Sequence, residues 1–205
     1  LLGDNCKYVS RGGLKLEGAL KAFNYDPKDK LCLDIGASTG GFTDCLLQNG
    51  AKFVIALDVG HNQIDYKLRT DPRVLVIEKF NARELSRKEL DKYIQPAHLE
   101  FGIWNLGISL VVMDVSFISI TKILPAIKNS VEPGVDIISL VKPQFEAKRE
   151  QVEKGGIVKD PKVHKEVMEK IKKAAKDLEF AYLDFGDSVI KGTDGNKEFF
   201  IHLRT

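Results

Sequence analysis

Short apolar runs alternate with amphipathic stretches along most of the chain. Such alternation is typical of βα units, in which helices connect parallel strands. The hydrophobic pattern predicts seven strands, at Leu31–Ile35, Phe53–Asp58, Val74–Glu78, Ser109–Asp114, Asp136–Val141, Ala181–Asp187 and Glu198–Leu203. It predicts helices at Leu14–Phe23, Phe42–Asn49, Ile64–Arg69, Arg87–Tyr93, Ile118–Asn129 and Val163–Leu178, with Gly12-Gly13 as a turn before the first helix.

The region between the last two predicted strands, from Val189 to Asn196, is rich in turn-forming residues. Two strands joined in this way form an antiparallel pair, which we expect at the edge of the sheet. The pattern therefore predicts an α/β fold of the Rossmann-like class. It has a seven-stranded, mostly parallel sheet with an antiparallel C-terminal hairpin strand and helices on both faces.

A glycine-rich loop follows the first predicted strand and leads into a helix. A dinucleotide fingerprint that begins at Gly36 needs a glycine two positions later, where the chain has Ser38, so pyrophosphate binding is disfavoured. Asp34 would repel a phosphate but would tolerate a nearby sulfonium or ammonium group. The loop therefore predicts a cationic, adenosine-containing ligand held by Asp34, Gly36, Ser38, Gly40 and Gly41.

Polar residues also follow the second and third predicted strands. Asp58 ends the second strand, where a carboxylate can accept hydrogen bonds from the two ribose hydroxyls of an adenosine. Asn81 follows the third strand and can place its amide at the adenine edge. These strand ends predict S-adenosyl-L-methionine (S-adenosylmethionine) as the cofactor. The alternative is a glycine turn with two capping acids in another Rossmann-like protein.

Two more predicted strands lead to charged residues, Asp114 on the fourth and Lys142 after the fifth. Ligands of doubly wound sheets bind outside the carboxyl ends of the strands, so both residues should face the same crevice as the glycine loop. Because removal from water disfavours the charged form of a lysine, we interpret Lys142 as a candidate base. A solvated strand end is the alternative for each residue taken alone.

The charge of the chain is unevenly distributed. The formal net charge is +2, but residues 7–30 carry a net +3 and residues 142–176 a net +5, which leaves −6 for the remainder. Two basic segments that flank a more acidic body can present a positive stripe to a polyanion such as RNA. Lysines that only solvate helix faces are the alternative.

The lengths of the apolar runs and the spacing of the cysteines indicate where in the cell the protein is found. No run approaches the roughly 18 uninterrupted apolar residues of a membrane-spanning helix. Cys6, Cys32 and Cys45 form neither a disulfide framework nor a zinc pattern, and no signal peptide opens the chain. The four histidines lack metal-ligand spacing, so we expect no metal. These features predict a reduced, cytoplasmic protein.

Five separated segments resemble the TlyA group of FtsJ-like RNA methyltransferases, which is often labelled haemolysin A. The segments are Tyr8–Leu16, Leu33–Thr43, Met113–Ser119, Leu140–Glu146 and Gly155–Pro161. The resemblance runs from about Lys7 to the C-terminus. It implies the methyltransferase form of the Rossmann-like fold and methylation of ribose 2′-hydroxyls, in this group those of cytidines in ribosomal RNA.

The resemblance also implies roles for single residues. The Lys-Asp-Lys-Glu tetrad of FtsJ-like enzymes falls on Lys15, Asp114, Lys142 and Glu198. The family's cofactor contacts fall on Gly36, Gly40, Phe42, Asp58, Asn81 and Asp114. For the RNA, we expect contacts from Arg11, Lys15, Lys142, Lys148 and Arg149. Lys142 would take the proton of the hydroxyl or, alternatively, keep its charge and only polarise that group.

Some features depart from the family pattern. Thr39 and Phe42 stand where Pro and Trp are usual, and Asn81 stands where an acid is common. The segment from Gln95 to Gly107, with Trp104, is predicted as a surface loop or contact site. Members usually carry an N-terminal RNA-binding domain. We therefore expect residues 1–9 to be the remnant of a linker from such a domain and residues 10–205 to form the catalytic domain.

Two other functions stay open at this point. The family label suggests a haemolysin or other membrane-active protein, but the sequence predicts neither a long apolar helix nor a basic amphipathic helix with exposed aromatics. The other alternative is a methyltransferase that acts on a small molecule or a protein. The basic segments and the tetrad argue against it.

Overall fold

The computed structural model describes residues 7–94, 107–192 and 194–205. Within them, seven strands form one sheet in the order β3-β2-β1-β4-β5-β7-β6. They are β1 (Leu31–Ile35), β2 (Phe53–Leu57), β3 (Val74–Ile77), β4 (Leu110–Met113), β5 (Asp136–Val141), β6 (Ala181–Asp187) and β7 (Phe199–Arg204). Strands β1 to β5 are parallel, and β7 is antiparallel to both of its neighbours. The predicted sheet and its antiparallel C-terminal strand are confirmed.

Helices cover both faces of the sheet, as predicted. Among the described residues they are α1 (Arg11–Ala22), α2 (Gly41–Gln48), α3 (Tyr66–Arg69), α4 (Arg87–Asp91), α5 (Leu124–Lys128), α6 (Pro143–Glu146) and α7 (Pro161–Asp177). Phe53, Ile55 and Leu57 of β2 join an apolar cluster with residues of α4, α5 and α7. Val54 and Ala56 join a second cluster with α1, α2 and α3. Alternate residues of a parallel strand therefore pack on opposite helical layers.

The Gly12-Gly13 pair is not a turn before the first helix, and that prediction was wrong. Both glycines lie in the first turn of α1. A Cβ at Gly13 would collide with the ring of Tyr8, so a glycine is needed there for close packing rather than for a change of chain direction. The helix therefore begins three residues earlier than predicted and includes Arg11.

The predicted helix from Ile118 to Asn129 is divided in two. A 3-10 turn at Ile120–Lys122 precedes α5, and the hydroxyl of Ser119 caps that turn. Pro125 lies in the first turn of α5, where its missing N–H is tolerated, whereas in the middle of a continuous helix it would break the hydrogen-bond ladder. Two further 3-10 turns lie at Ala82–Glu84 and Arg149–Gln151.

Strand β7 begins one residue later than predicted, because Glu198 precedes it. The Glu198 carbonyl still accepts a hydrogen bond from the Ser188 amide, next to the end of β6. This hydrogen bond fixes the backbone of Glu198 at the start of the strand ladder. Most of the predicted contact segment, residues 95–106, lies outside the described residues.

Candidate active site

Two adjoining cavities open at the carboxyl ends of the parallel strands. The larger, about 480 Å³, is termed the central cleft and is lined by Lys15, Asp114, Lys142 and Glu198 among others. The second, about 420 Å³, is termed the side pocket and is lined by residues that follow β1, β2, β3 and β4. Both cavities share a wall made of Gly36, Ser38, Asp114, Ser116 and Phe117.

The predicted tetrad forms two ion pairs in the central cleft. Lys15 Nζ lies 2.6 Å from Glu198 Oε2, and Lys142 Nζ lies 2.5 Å from Asp114 Oδ1. Each lysine side chain keeps only 11% of its accessible surface. Coulomb attraction strengthens away from water, so each carboxylate holds its lysine in one direction. The fold thus brings together all four residues of the tetrad.

Lys142 also has a hydroxyl partner. Its Nζ donates a hydrogen bond of 2.9 Å to Ser116 Oγ, two residues beyond Asp114. Asp114 and Ser116 both belong to the wall that the two cavities share. The Lys142 amine is therefore held at the junction between the central cleft and the side pocket.

Helix α1 is fastened to the segment that connects β6 and β7. Arg11 Nη2 donates a hydrogen bond of 2.8 Å to the carbonyl of Lys191, and one helical turn further the Lys15 ammonium reaches Glu198. These contacts bridge more than 170 residues of sequence. They hold Lys15 at the cleft although α1 lies outside the alternating βα region.

The glycine loop makes a close approach to the strand beside it. Gly36 has a φ of +83°, and a Cβ there would collide with the carbonyl of Asp114. Ser38 has a φ of +50° and donates its amide to Asp58. Gly40 and Gly41 were both predicted as ligands. Gly41 lines the central cleft, whereas Gly40 forms the N-cap of α2. Phe42 also lines the cleft with a mostly buried ring.

Asp34 lies beneath this loop rather than on a cavity wall. It is fully buried, the hydroxyl of Thr43 donates to its Oδ2 at 2.6 Å, and Oδ1 has no hydrogen-bond partner among the described residues. Burial raises the pKa of this carboxyl to about 7, and the charges of Asp114 and Asp58 add to the shift. An unpartnered buried carboxylate is costly, and this cost is the main reason that its pKa is raised.

The side pocket contains the other two predicted adenosine ligands. Asp58 accepts hydrogen bonds from the amides of Ser38, at 2.8 Å, and Gly60, at 2.6 Å, which fix the direction of its carboxylate. Asn81 Oδ1 accepts from the Arg83 amide at 3.1 Å, so the amide nitrogen is the group left for a ligand. Apolar walls are supplied by Leu57, Phe80, Ile118 and Ile123.

The five residues predicted to contact RNA do not form one patch. Arg11, Lys15 and Lys142 line the central cleft, although Lys15 and Lys142 are committed to carboxylates. Lys148 and Arg149 are exposed near the 3-10 turn after α6 and are not on the cleft wall. They remain candidates for contacts outside the cleft.

Sequence reasoning missed two aromatic residues at the cleft. Phe117 is 90% exposed and has a φ of +63°, which is unusual for a residue other than glycine. Its ring centroid lies 5.0 Å from that of Phe145, and both residues line the cleft. Phenylalanine in an apolar run usually indicates core, so the sequence alone offered no signal that Phe117 would be exposed.

The described part of the chain contains no helix that is long and apolar enough to cross a bilayer. A model of the FtsJ-like methyltransferases matches residues 8–205. The chain belongs to the FtsJ-like methyltransferase family. The methyltransferase form of the Rossmann-like fold, predicted from the resemblance, is confirmed.

Similar members of this family carry two kinds of name. "Hemolysin A" from Brachyspira hyodysenteriae is 46% identical over 199 residues, 97% of this chain and 78% of that protein. "16S/23S rRNA (cytidine-2'-O)-methyltransferase TlyA" from Mycobacterium tuberculosis is 41% identical over 198 residues, 97% of this chain and 69% of that protein. A crystal structure of a hemolysin-labelled protein from Lactococcus lactis has a TM-score of 0.87 and 48% identity, and covers 98% of this chain and 89% of that chain.

Proposed function

We propose that this FtsJ-like methyltransferase transfers a methyl group from S-adenosylmethionine to a ribose 2′-hydroxyl of ribosomal RNA, with cytidine as the target. One observation carries the proposal: two buried lysine–carboxylate pairs lie in a cleft that adjoins a pocket with polar groups suited to adenosine. The rRNA (cytidine-2′-O)-methyltransferase name of a 41% identical relative supports the same substrate. An rRNA substrate would locate the enzyme in the cytoplasm.

The residues of the side pocket fit the proposed cofactor. Asp58 has a carboxylate held for ribose hydroxyls, and the free amide nitrogen of Asn81 can donate to a ring nitrogen of adenine. Beneath the loop, the unpartnered oxygen of Asp34 favours a positively charged ligand. When bound, the cofactor would supply an electrophilic methyl group on a sulfonium, and its sulfur would leave as a neutral thioether when the carbon–sulfur bond breaks.

Lys142 is assigned as the base. Its amine lies 2.5 Å from Asp114 Oδ1 and donates a hydrogen bond to Ser116 Oγ, and these two contacts hold it where the central cleft meets the side pocket. The amine takes the hydroxyl proton as the oxygen attacks, and Asp114 stabilises the ammonium that results. Positioned proton transfer of this kind accelerates a reaction by about 10²- to 10⁴-fold.

Lys15 and Glu198 hold the other side of the cleft. Their ion pair is more deeply buried than that of Lys142, since the Glu198 side chain is only 3% exposed. We assign this pair to orient the ribose through hydrogen bonds from the Lys15 ammonium. The negative charge of Glu198 limits repulsion between the two lysines.

The exposed Phe117 ring supports an RNA substrate. A nucleobase stacks on an exposed aromatic ring for about 1–3 kcal/mol, and sequence-specific RNA enzymes often use unstacked bases. Phe117 stands at the wall shared by both cavities. A base that stacks there would bring its ribose to Lys142, while Arg11, Lys148 and Arg149 contact the RNA backbone.

Two measurements on the purified protein test this function. Titration calorimetry with S-adenosylmethionine should show one site per chain, and ribosomal subunits should then accept labelled methyl groups. Lys142→Ala should bind cofactor normally and transfer methyl about 10²- to 10⁴-fold more slowly, whereas Lys173→Ala, which alters an exposed ion pair of α7, should behave like wild type. A folded protein that binds no cofactor but causes vesicle leakage would refute the proposal and favour the membrane-active alternative.

A further inference from the structure

Glu146 is a buried carboxylate that the proposed chemistry does not use. It closes α6, and its side chain is 1% exposed. Three donors converge on the carboxylate: the Ser119 hydroxyl at 2.5 Å, the Ile120 amide at 2.7 Å and Lys170 Nζ at 3.1 Å. Lys170 also donates to the Glu146 carbonyl at 2.8 Å. Both carboxylate oxygens therefore have hydrogen-bond donors, as expected for a buried carboxylate with a fixed position.

The contact joins the two segments that carry the Lys142 ion pair. One segment runs from Asp114 to Ser119, and the other is Lys142 followed by α6. They meet at three places: Lys142 contacts Asp114 and Ser116, Phe145 contacts Phe117, and Glu146 binds Ser119 and Ile120. The last of these contacts is also anchored to α7, through Lys170.

The loop between Asp114 and Ser119 needs such an anchor. Phe117 is mostly exposed and has a left-handed φ of +63°. A residue other than glycine keeps this conformation only when its surroundings hold the chain in place. Glu146 grips the residues at the end of the loop, immediately after Phe117 and Ile118. Asp114 and Ser116, at the start of the loop, are held by Lys142.

We propose that Glu146 is a positioning residue for methyl transfer, which holds the loop of Asp114, Ser116 and Phe117 in register with Lys142. This inference rests on the proposed function. Misplacement of reacting groups by about 1 Å can cost on the order of 10²-fold in rate. Loss of the Glu146 contacts should therefore lower kcat and raise the RNA KM, and should leave the adenosine ligands Asp58 and Asn81 undisturbed.

The test compares Glu146→Gln and Glu146→Ala with a matched control, Asp136→Asn. Asp136 is also a buried acid and pairs with Arg204 and His202, but it lies at the amino end of β5, away from both cavities. Glu146→Gln can still accept from the Ile120 amide but cannot pair with Lys170. We expect a roughly tenfold loss of kcat for it and a greater loss for Glu146→Ala.

Hydrogen exchange of the Ile120 amide should accelerate in both Glu146 variants. The affinity for S-adenosylmethionine should fall by a smaller factor than kcat, because Asp114 belongs to the loop but Asp58 and Asn81 do not. Asp136→Asn should lower the Tm and keep wild-type kcat. An unchanged kcat in folded Glu146→Ala would overturn the assignment. So would an equal loss of kcat in Asp136→Asn, if the two variants have the same Tm. If wild type transfers no methyl to RNA, the proposed function fails. In that case unchanged Ile120 exchange in Glu146→Ala would separately overturn the loop-holding role.

Discussion

The two ends of the sheet both contain buried acids paired with cations, but they differ in what surrounds them. At the amino end of β5, Asp136 pairs with Arg204 and His202 on the adjacent strand, and Asp136 and Arg204 are direct register partners. At the carboxyl end, Lys15 pairs with Glu198 across 183 residues of sequence. Lys15 and Glu198 line the central cleft, whereas Asp136, Arg204 and His202 line neither the central cleft nor the side pocket.

This difference separates a structural ion pair from a functional one. A pair between adjacent strands stabilises the register of the sheet and needs no ligand. Buried ion pairs that line a cleft contribute little net stability, because well-packed apolar residues could replace them at little cost. Buried charges that apolar residues could replace fit a role in the reaction rather than in stability.

The largest effect is expected for Lys142→Ala. Removal of the base should lower kcat about 10²- to 10⁴-fold, with little change in cofactor affinity because Asp58 and Asn81 are untouched. The measurement is single-turnover methyl transfer to ribosomal subunits. Asp136→Asn, at the other end of the sheet, should keep its rate. If both variants lose activity equally, the distinction between the two ends is wrong.

The next effect concerns stability. Lys15→Ala leaves the buried Glu198 without its ammonium, and loss of one partner of a buried pair costs about 3–5 kcal/mol. The double variant Lys15→Met/Glu198→Leu should recover most of the free energy of unfolding, measured by urea denaturation, without recovering activity. Recovery of activity in the double variant would show that the pair is only structural.

A pH effect is expected from Asp34. Folding raises the pKa of this carboxyl to about 7, so the folded state holds the proton more tightly than the unfolded state. The stabilisation that results is fully present below the ordinary aspartate pKa of about 3.9 and is lost as the pH rises through 7.

Asp34→Asn, which keeps an acceptor for Thr43, removes this pH dependence. Between pH 5.5 and pH 8, the free energy of unfolding of the wild type should fall by about 2 kcal/mol relative to that of the variant. Urea denaturation at both pH values measures the difference. Wild-type affinity for S-adenosylmethionine should also increase over this range, because the charged carboxylate favours a cation. If the free energy of unfolding changes equally with pH in wild type and Asp34→Asn, the role given to Asp34 is wrong.

The smallest effect is expected for Phe117→Ala. Loss of a stacked base should raise the RNA KM about tenfold, since base–aromatic stacking contributes about 1–3 kcal/mol. Cofactor affinity should change less than the RNA KM, because Phe117 also lines the side pocket but Asp58 and Asn81 stay in place. The matched control is Phe185→Ala, which removes an exposed ring on β6 that lines neither the central cleft nor the side pocket. Equal effects of the two substitutions on KM would exclude a specific base contact.

The sheet was predictable because parallel strands buried on both faces read as short apolar runs, and the carboxyl ends of those runs meet at one edge. That rule led to Asp58, Asn81, Asp114 and Lys142 from sequence position. The resemblance added Lys15 and Glu198, which no local pattern connects. Their contact depends on how α1 packs against the segment before β7.

Other residues could not be found in this way. Glu146 lies in a four-residue helix, too short to show periodicity, and its burial depends on Ser119 and Lys170 from distant elements. Gly12-Gly13 was misread because a glycine pair looks the same whether it permits a turn or close packing against Tyr8. Asp34 was predicted near the ligand, but its position beneath the loop follows from the Thr43 hydrogen bond.

The most direct test of the central claim is to locate the transferred methyl group by mass spectrometry of nucleosides. Ribosomal subunits would be incubated with S-adenosylmethionine and either wild type or Lys142→Ala, and their RNA digested to nucleosides. The account predicts 2′-O-methylcytidine with wild type and none above background with Lys142→Ala. A methyl group on a base, on protein or on the Lys142→Ala product at the wild-type level would contradict it.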